Sequence, residues 1–125
     1  MEITNMEIFN AREPLTKLMA VKVPILVSYE LVKMGKILQA QWEIIDSMRS
    51  KLCEAYGEPD PAFGGVPVVK ADPNSLLFQK FSEEFGEILK QTVDLDIQVV
   101  ELPPNIDLEP VVLMRLERFI KLAGL

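Results

Sequence analysis

A chain of 125 residues, 49% hydrophobic and 26% charged, has the balance of one folded domain, and wholesale disorder is excluded. Its 13 basic and 19 acidic residues leave a net charge of −6, which argues against duplex nucleic acid as a partner, since duplex binding rests on neutralising phosphates. With no histidine and one cysteine, histidine general-base catalysis, Cys–His nucleophile pairs and zinc sites of His/Cys type are excluded, and no internal disulfide can form.

The opening Met1-Glu2-Ile3-Thr4-Asn5 lacks a basic leader and a long apolar core, so no secretory signal is expected. Thr4-Asn5-Met6-Glu7 has the form of a capping box and opens a first helix over residues 5–20, with Ile8, Ala11, Leu15 and Leu18 at helical spacing. Pro14 inside this run predicts a kink or break near Glu13. Val23-Pro24 marks a boundary, and a second helix is expected over 24–56, interrupted by no further proline and by one glycine, Gly35. Val27, Met34, Leu38, Ile45, Met48 and Leu52 share one face of it, flanked by Ile37, Ile44 and Tyr56; Lys33, Lys36, Glu43, Ser47, Ser50 and Glu54 lie opposite. The most apolar window, 21–32, is broken by Lys22, Pro24 and Glu30 and is too short to span a bilayer, so a soluble chain without a membrane partner is expected. A helix this long, roughly 50 Å at 1.5 Å per residue, exceeds what so small a domain can cover. It must bend or pack on another subunit, and a homo-oligomer is expected.

Gly57 is positioned to stop this helix, and Pro59, Pro61, Gly64, Gly65, Pro67 and Pro73 make the following stretch a loop with at most one short strand, over 66–70. A third helix follows, capped by Asp72 or Ser75, with Leu77, Phe78, Phe81, Phe85, Ile88 and Leu89 on its apolar face. Val93, Leu95, Ile97 and Val99 alternate with polar residues and predict a strand over 93–99. A last helix is expected over 110–122, with Arg115, Arg118 and Lys121 toward its end, where they suit the helix dipole. The whole reads as α+β: a helical hairpin over 5–56, a loop over 57–75, and a helix–strand–helix unit with a small sheet over 76–122, forming a single domain. Charge is uneven. Residues 72–109 carry two lysines and nine acids, while 110–125 carry three bases and one acid, so the C-terminal helix can dock on the acidic part.

Groups that carry chemistry are few. Asp94 and Asp96 place two carboxylates on one strand face, roughly 7 Å apart, where they would bind Mg²⁺ or Ca²⁺ or simply be the polar side of a strand. No divalent metal and no cofactor are expected. Gly64-Gly65-Val66-Pro67 lacks the lysine and following helix of a phosphate loop, and reads as a turn. No serine has a histidine to activate it, and no Ser-x-x-Lys occurs; an enzyme is not expected. Cys53 beside Leu52 reads as a packed thiol in a reducing compartment. Trp42, at the edge of the apolar face of the second helix, belongs either to the core or to an interface. In the second case Ile45 and Arg49, three and four residues farther on in turn, join it as the anchor.

Ala11-Arg12-Glu13-Pro14-Leu15-Thr16-Lys17-Leu18, Val23-Pro24, Ser28-Tyr29-Glu30-Leu31-Val32-Lys33 and Lys51-Leu52-Cys53-Glu54-Ala55-Tyr56-Gly57-Glu58 succeed one another in an order that resembles a family of small phage and prophage proteins. Phe81-Ser82-Glu83-Glu84-Phe85, Val93-Asp94-Leu95-Asp96-Ile97 and the closing Leu113, Leu116-Glu117 and Phe119-Ile120 are similar to that family's acidic helix, strand and C-terminal pattern. The chain departs from it at Trp42-Glu43-Ile44-Ile45, where the family has a more charged helix, and in its glycine- and proline-rich loop over 62–67. The resemblance implies a phage-encoded, non-enzymatic accessory protein, present in the host cytoplasm or the virion, and carries over no catalytic residue. Two roles are expected of it: oligomerisation or docking on a phage protein in virion assembly, or inhibition of a host defence effector. The second role would rest on acidic mimicry of nucleic acid or on sequestering a signalling nucleotide, with Arg49, Arg115 and Arg118 as the available arginines.

Overall fold

The computed structural model describes residues 1–124. Strand β1 (Glu2–Thr4) runs directly into helix α1 (Asn5–Met19). The capping box closes as the sequence predicts: Thr4 Oγ1 accepts from the Glu7 amide at 3.2 Å, and the Thr4 amide donates to Glu7 Oε1 at 3.3 Å. Ile8, Ala11, Leu15 and Leu18 are all buried. The helix passes through Pro14 without a break. The carbonyl that loses its partner there belongs to Asn10, an exposed residue whose backbone water can serve, while the proline ring packs inward.

Helix α2 (Ile25–Tyr56) has 32 residues and extends about 48 Å at 1.5 Å per residue. Its apolar face is buried only in the middle, at Leu31, Met34, Leu38, Trp42 and Ile45. Val27 before them and Met48 and Leu52 after them are half-buried, because α1 covers only part of so long a helix. Beyond it, β2 (Glu58–Pro59) and β3 (Pro67–Val68) pair antiparallel as a hairpin, with a 3₁₀ turn over Pro61–Phe63 between them. Gly64 and Gly65 supply the positive φ angles, 67° and 83°, that the tip requires. Gly57 is needed for a different reason than helix termination. Its φ is −98°, open to any residue, but a Cβ there would stand 2.9 Å from the Val68 backbone and closer still to the Cys53 carbonyl.

Helix α3 (Leu76–Leu89) is capped by Ser75, which accepts from the Phe78 amide at 3.4 Å; Asp72 instead closes a turn by accepting from the Asn74 amide at 3.0 Å. The C-terminal half departs from its sequence pattern in three places. The strand expected over 93–99 is two short strands, β4 (Thr92–Asp94) and β5 (Val100–Leu102). A tight turn at Asp96, in which the Ile97 amide donates to the Leu95 carbonyl at 2.8 Å, ends the first. The alternation then slips. Ile97 points inward, Gln98 and Val99 both face out, and Val100 and Leu102 resume the buried side.

The last helix, expected over 110–122, stops early. Helix α4 (Pro110–Arg115) is followed by turns and by β6 (Ile120–Leu122), which pairs parallel with β5 at Val100↔Ile120 and Leu102↔Leu122. Leu116, Phe119 and Ile120 are all buried, and the free edge of β5 offers backbone groups that a continuing helix would leave unpaired. The small sheet is likewise three separate two-stranded pieces: β1–β4 antiparallel with Ile3 opposite Val93, β2–β3, and β5–β6. The fold is α+β, with two long contacting helices, a third amphipathic helix and a C-terminal helix around one core. The basic C-terminal segment docks within the chain, though only partly on the acidic stretch: Lys121 pairs with Glu101 at 3.9 Å, whereas Arg118 reaches Glu7 of α1 at 2.7 Å.

Gly57→Ala should lower stability by about 1–3 kcal/mol, the usual cost of forcing an added methyl into filled space. Hydrogen exchange should place the loss of protection in the 58–68 hairpin and leave α1 unchanged.

Candidate functional site

Trp42 and Ile45 belong to the core and offer no exposed anchor on this chain. Trp42 is 6% exposed and Ile45 is fully buried, while Arg49 is exposed one turn farther on. The indole Nε1–H donates to the Ile8 carbonyl of α1 at 2.6 Å. The Arg12 guanidinium lies 5.6 Å from the centre of the same ring and donates to Asp46 Oδ2 at 2.8 Å. Trp42 therefore welds α1 to α2, with the salt bridge closing over its outer edge. The expected band is divided along the helix and not around it: Arg49 shares the side of Trp42 and Ile45 but lies farther along α2, where it is exposed and lines the groove at the helix end.

The carboxylates are also separated in role. Asp94 Oδ1 accepts from the Met1 amine at 3.1 Å at the end of β4, and Asp96 stands in the turn beyond it; both are exposed. Among the described residues, no three His, Cys, Asp or Glu side chains gather in a way that could hold a metal ion. The glycine pair is occupied by its own turn, with the Gly65 amide donating to the Asp60 carbonyl at 2.9 Å and the Gly64 amide to the Pro61 carbonyl at 3.3 Å.

Two apolar surfaces remain, at opposite ends of α2. At its start Ile25 is 80% exposed, Leu26 75% and Tyr29 59%, with Val32 beside them. Periodicity contained this signal: Ile25, Tyr29 and Val32 recur at spacings of four and three, opposite the Val27–Met34–Leu38 face, so this end has apolar residues on two opposite faces. The rest of the fold covers the second of these and leaves the first open. The second surface is a groove of about 650 Å³ between the end of α2, the hairpin and α3, lined by Cys53, Phe63, Val66, Val68, Phe78 and Phe81. Helix α3 has a strongly amphipathic sequence, yet none of its residues is fully buried. Phe85 stacks edge-on against Phe9 of α1 with ring centres 5.9 Å apart, and Phe81 lies 5.8 Å from Phe85, which leaves the first turn of α3 without cover. Phe63 at the hairpin tip is 61% exposed and Leu76 is 63% exposed. Folding alone creates this groove, because hairpin and α3 meet across a proline-rich loop whose path the sequence pattern does not specify.

Polar groups hold the two helices around the groove. Tyr56, the last residue of α2, lies beside Glu84 of α3. A hydrogen bond to that carboxylate, then partial burial, then its negative charge all hold the phenol above its ordinary range. Asn5, buried at the head of α1, donates from Nδ2 to the Ile88 carbonyl at 2.9 Å and accepts at Oδ1 from Gln41 Nε2 at 2.8 Å. It ties all three long helices together. No helix among the described residues is long and apolar enough to cross a membrane. Comparison with protein-family models, with curated proteins and with solved structures finds no match to this chain.

Trp42→Ala should cost about 3–5 kcal/mol of stability, as truncation of a buried aromatic does, and urea unfolding measures it. For Tyr56 the sign follows from its raised value. The neutral phenol is favoured in the folded state, so the Tyr56–Glu84 contribution holds below the ordinary tyrosine range and is lost as pH rises through the raised value. In a spectrophotometric titration of the native protein, Glu84→Gln should move one tyrosine transition to lower pH.

Proposed function

We propose that this chain is a non-enzymatic interaction protein that works by protein–protein contact through the apolar surfaces at the two ends of α2. The observation that carries the reading is the exposure of Ile25, Leu26 and Tyr29 together with the open groove under Phe63. Scattered exposed apolar residues need no explanation, but contiguous ones on a rigid helix are the mark of a covered surface. The setting we propose is the one implied by the resemblance: a phage-encoded accessory protein, in the host cytoplasm or the virion, with a part in assembly. The clustering of acids around the groove favours a second reading, in which the chain occupies a basic surface of a host effector and blocks it.

A photo-crosslinking residue placed singly at Leu26, at Phe63 and, as control, at Glu117 tests this in the cell that naturally makes the protein. Discrete adducts should form at Leu26 and Phe63 and not at Glu117. The mass of the adduct separates the settings, since a virion component indicates assembly, a host protein indicates inhibition, and twice the chain mass indicates that the surfaces join copies of this chain. Absence of any discrete adduct at both surfaces overturns the reading.

A further inference from the structure

The two apolar surfaces differ in charge, and the difference points to what covers them. Residues 21–36, around the first surface, hold three lysines and one glutamate, a net +2. Residues 43–60, beside the groove, hold five acids and two bases, and the helix Leu76–Leu89 across it holds three acids and one base, a combined −5. Each surface thus complements the other. They lie about 30 Å apart along one continuous helix, which cannot fold its own ends together. Only a second molecule can bring them into contact.

At 100° per residue Ile25, Tyr29, Val32, Lys36, Glu43, Ser47, Ser50 and Glu54 fall within one sector of about 60°, and all eight are exposed. This stripe runs the whole length of α2 and is apolar in its first half and polar in its second. Lys36 and Glu43 have no ion-pair partner among the described residues, unlike Lys33, which pairs with Glu30, and Asp46, which pairs with Arg12. We infer that the occupant is a second copy of this chain, with the two α2 helices antiparallel and the twofold axis passing between Gln39 and Ala40.

That single register satisfies every feature of the stripe. Lys36 of each copy comes opposite Glu43 of the other, which gives two equivalent ion pairs beside the axis. Tyr29 comes opposite Ser50 and Ile25 opposite Glu54; Ser50 and Glu54 both line the groove. Ile25 and Tyr29 of each copy thereby come against the α2 rim of the other's groove. A parallel pairing would instead set Lys36 against Lys36 and Glu43 against Glu43, and would crowd both acidic ends together. The contact is closed: each copy uses both of its surfaces, and no further copy can add.

The inference rests on the interaction reading above, and its test is separable from that one. Sedimentation equilibrium should give a species of twice the 14.1 kDa chain mass at micromolar concentration. Lys36→Glu and Glu43→Lys should each weaken the dimer at least about tenfold, and the double variant carrying both should recover it. Both sites are exposed, so each single variant should keep the wild-type circular dichroism spectrum and, below the dimerisation concentration, the wild-type melting temperature. Paired cysteines on the stripe fix the geometry. Under mild oxidation the chain carrying both Ile25→Cys and Glu54→Cys should give a covalent dimer and no longer ladder, while the wild-type chain, whose two Cys53 residues lie at opposite ends of the dimer, should not cross-link. A monomer at all concentrations overturns the inference, as does a single variant that associates normally, a charge-swapped double variant that stays dissociated, a ladder from the chain carrying Ile25→Cys and Glu54→Cys, or a Cys53–Cys53 link in the wild type. A monomer that still gives a hetero-adduct at Leu26 overturns the dimer alone and leaves the interaction reading standing.

Discussion

The hydrogen bond from the Trp42 indole to the Ile8 carbonyl is the constraint around which this molecule is arranged. An indole N–H withdrawn from water must find an acceptor, and the one it finds is in the backbone of α1. That choice fixes the separation and the rotation of α2 relative to α1 at one point. Asn5 fixes a second point by bonding Gln41 of α2 and the Ile88 carbonyl of α3. Arg12 and Asp46, bridging the helices at the solvent edge, fix a third. With its middle held at three points by α1, α2 turns its opposite side outward, and the exposed stripe runs along it.

The core is correspondingly lopsided. Its buried apolar residues come from β1, α1, the span Leu31–Ile45 of α2, and the segment from Ile97 to Ile120. None comes from the last turns of α2, from the hairpin or from α3. At about 25 cal/mol per Å² of apolar surface removed from water, half-burial leaves much of the driving force of these elements unspent. Phe81, Phe85 and Ile88 touch the rest of the molecule without being sealed by it.

The sequence made the helices legible because their causes are local. The Thr4–Glu7 box, Pro24 and Ser75 are each sufficient to place a helix start within a residue or two, and the apolar faces of α1 and of central α2 follow from spacing alone. Other features depended on partners far along the chain. The alternation over residues 93–99 is real in composition, yet the turn at Asp96 and the pairing of β1 with β4 divide it. Burial of the Phe119-Ile120 pair ended the last helix in favour of a strand beside β5. The candidate site was legible in type and displaced in position. Tryptophan and arginine pointed to an interface on α2, but the tryptophan was claimed by α1. The exposed residues at Ile25 and Tyr29 fell on the side where apolar spacing had not been followed.

The distribution of burial also orders the stability of the parts. Elements with few buried contacts open first, so α3 and the hairpin open before the α1–α2 core. Little secures them: the Phe9–Phe85 contact, the Asn5–Ile88 bond, the close approach of Gly57 to Val68, and Tyr56 beside Glu84. The groove exists only while α3 and the hairpin are in place, because its walls are Phe63, Val66, Phe78 and Phe81. Whatever occupies it therefore binds the closed form and not the open one, and stabilises α3 by mass action with the logarithm of one plus its concentration over its dissociation constant. Filling the groove and ordering α3 are thus one equilibrium, and the loosely packed half of the molecule is the half that an occupant of the groove would complete.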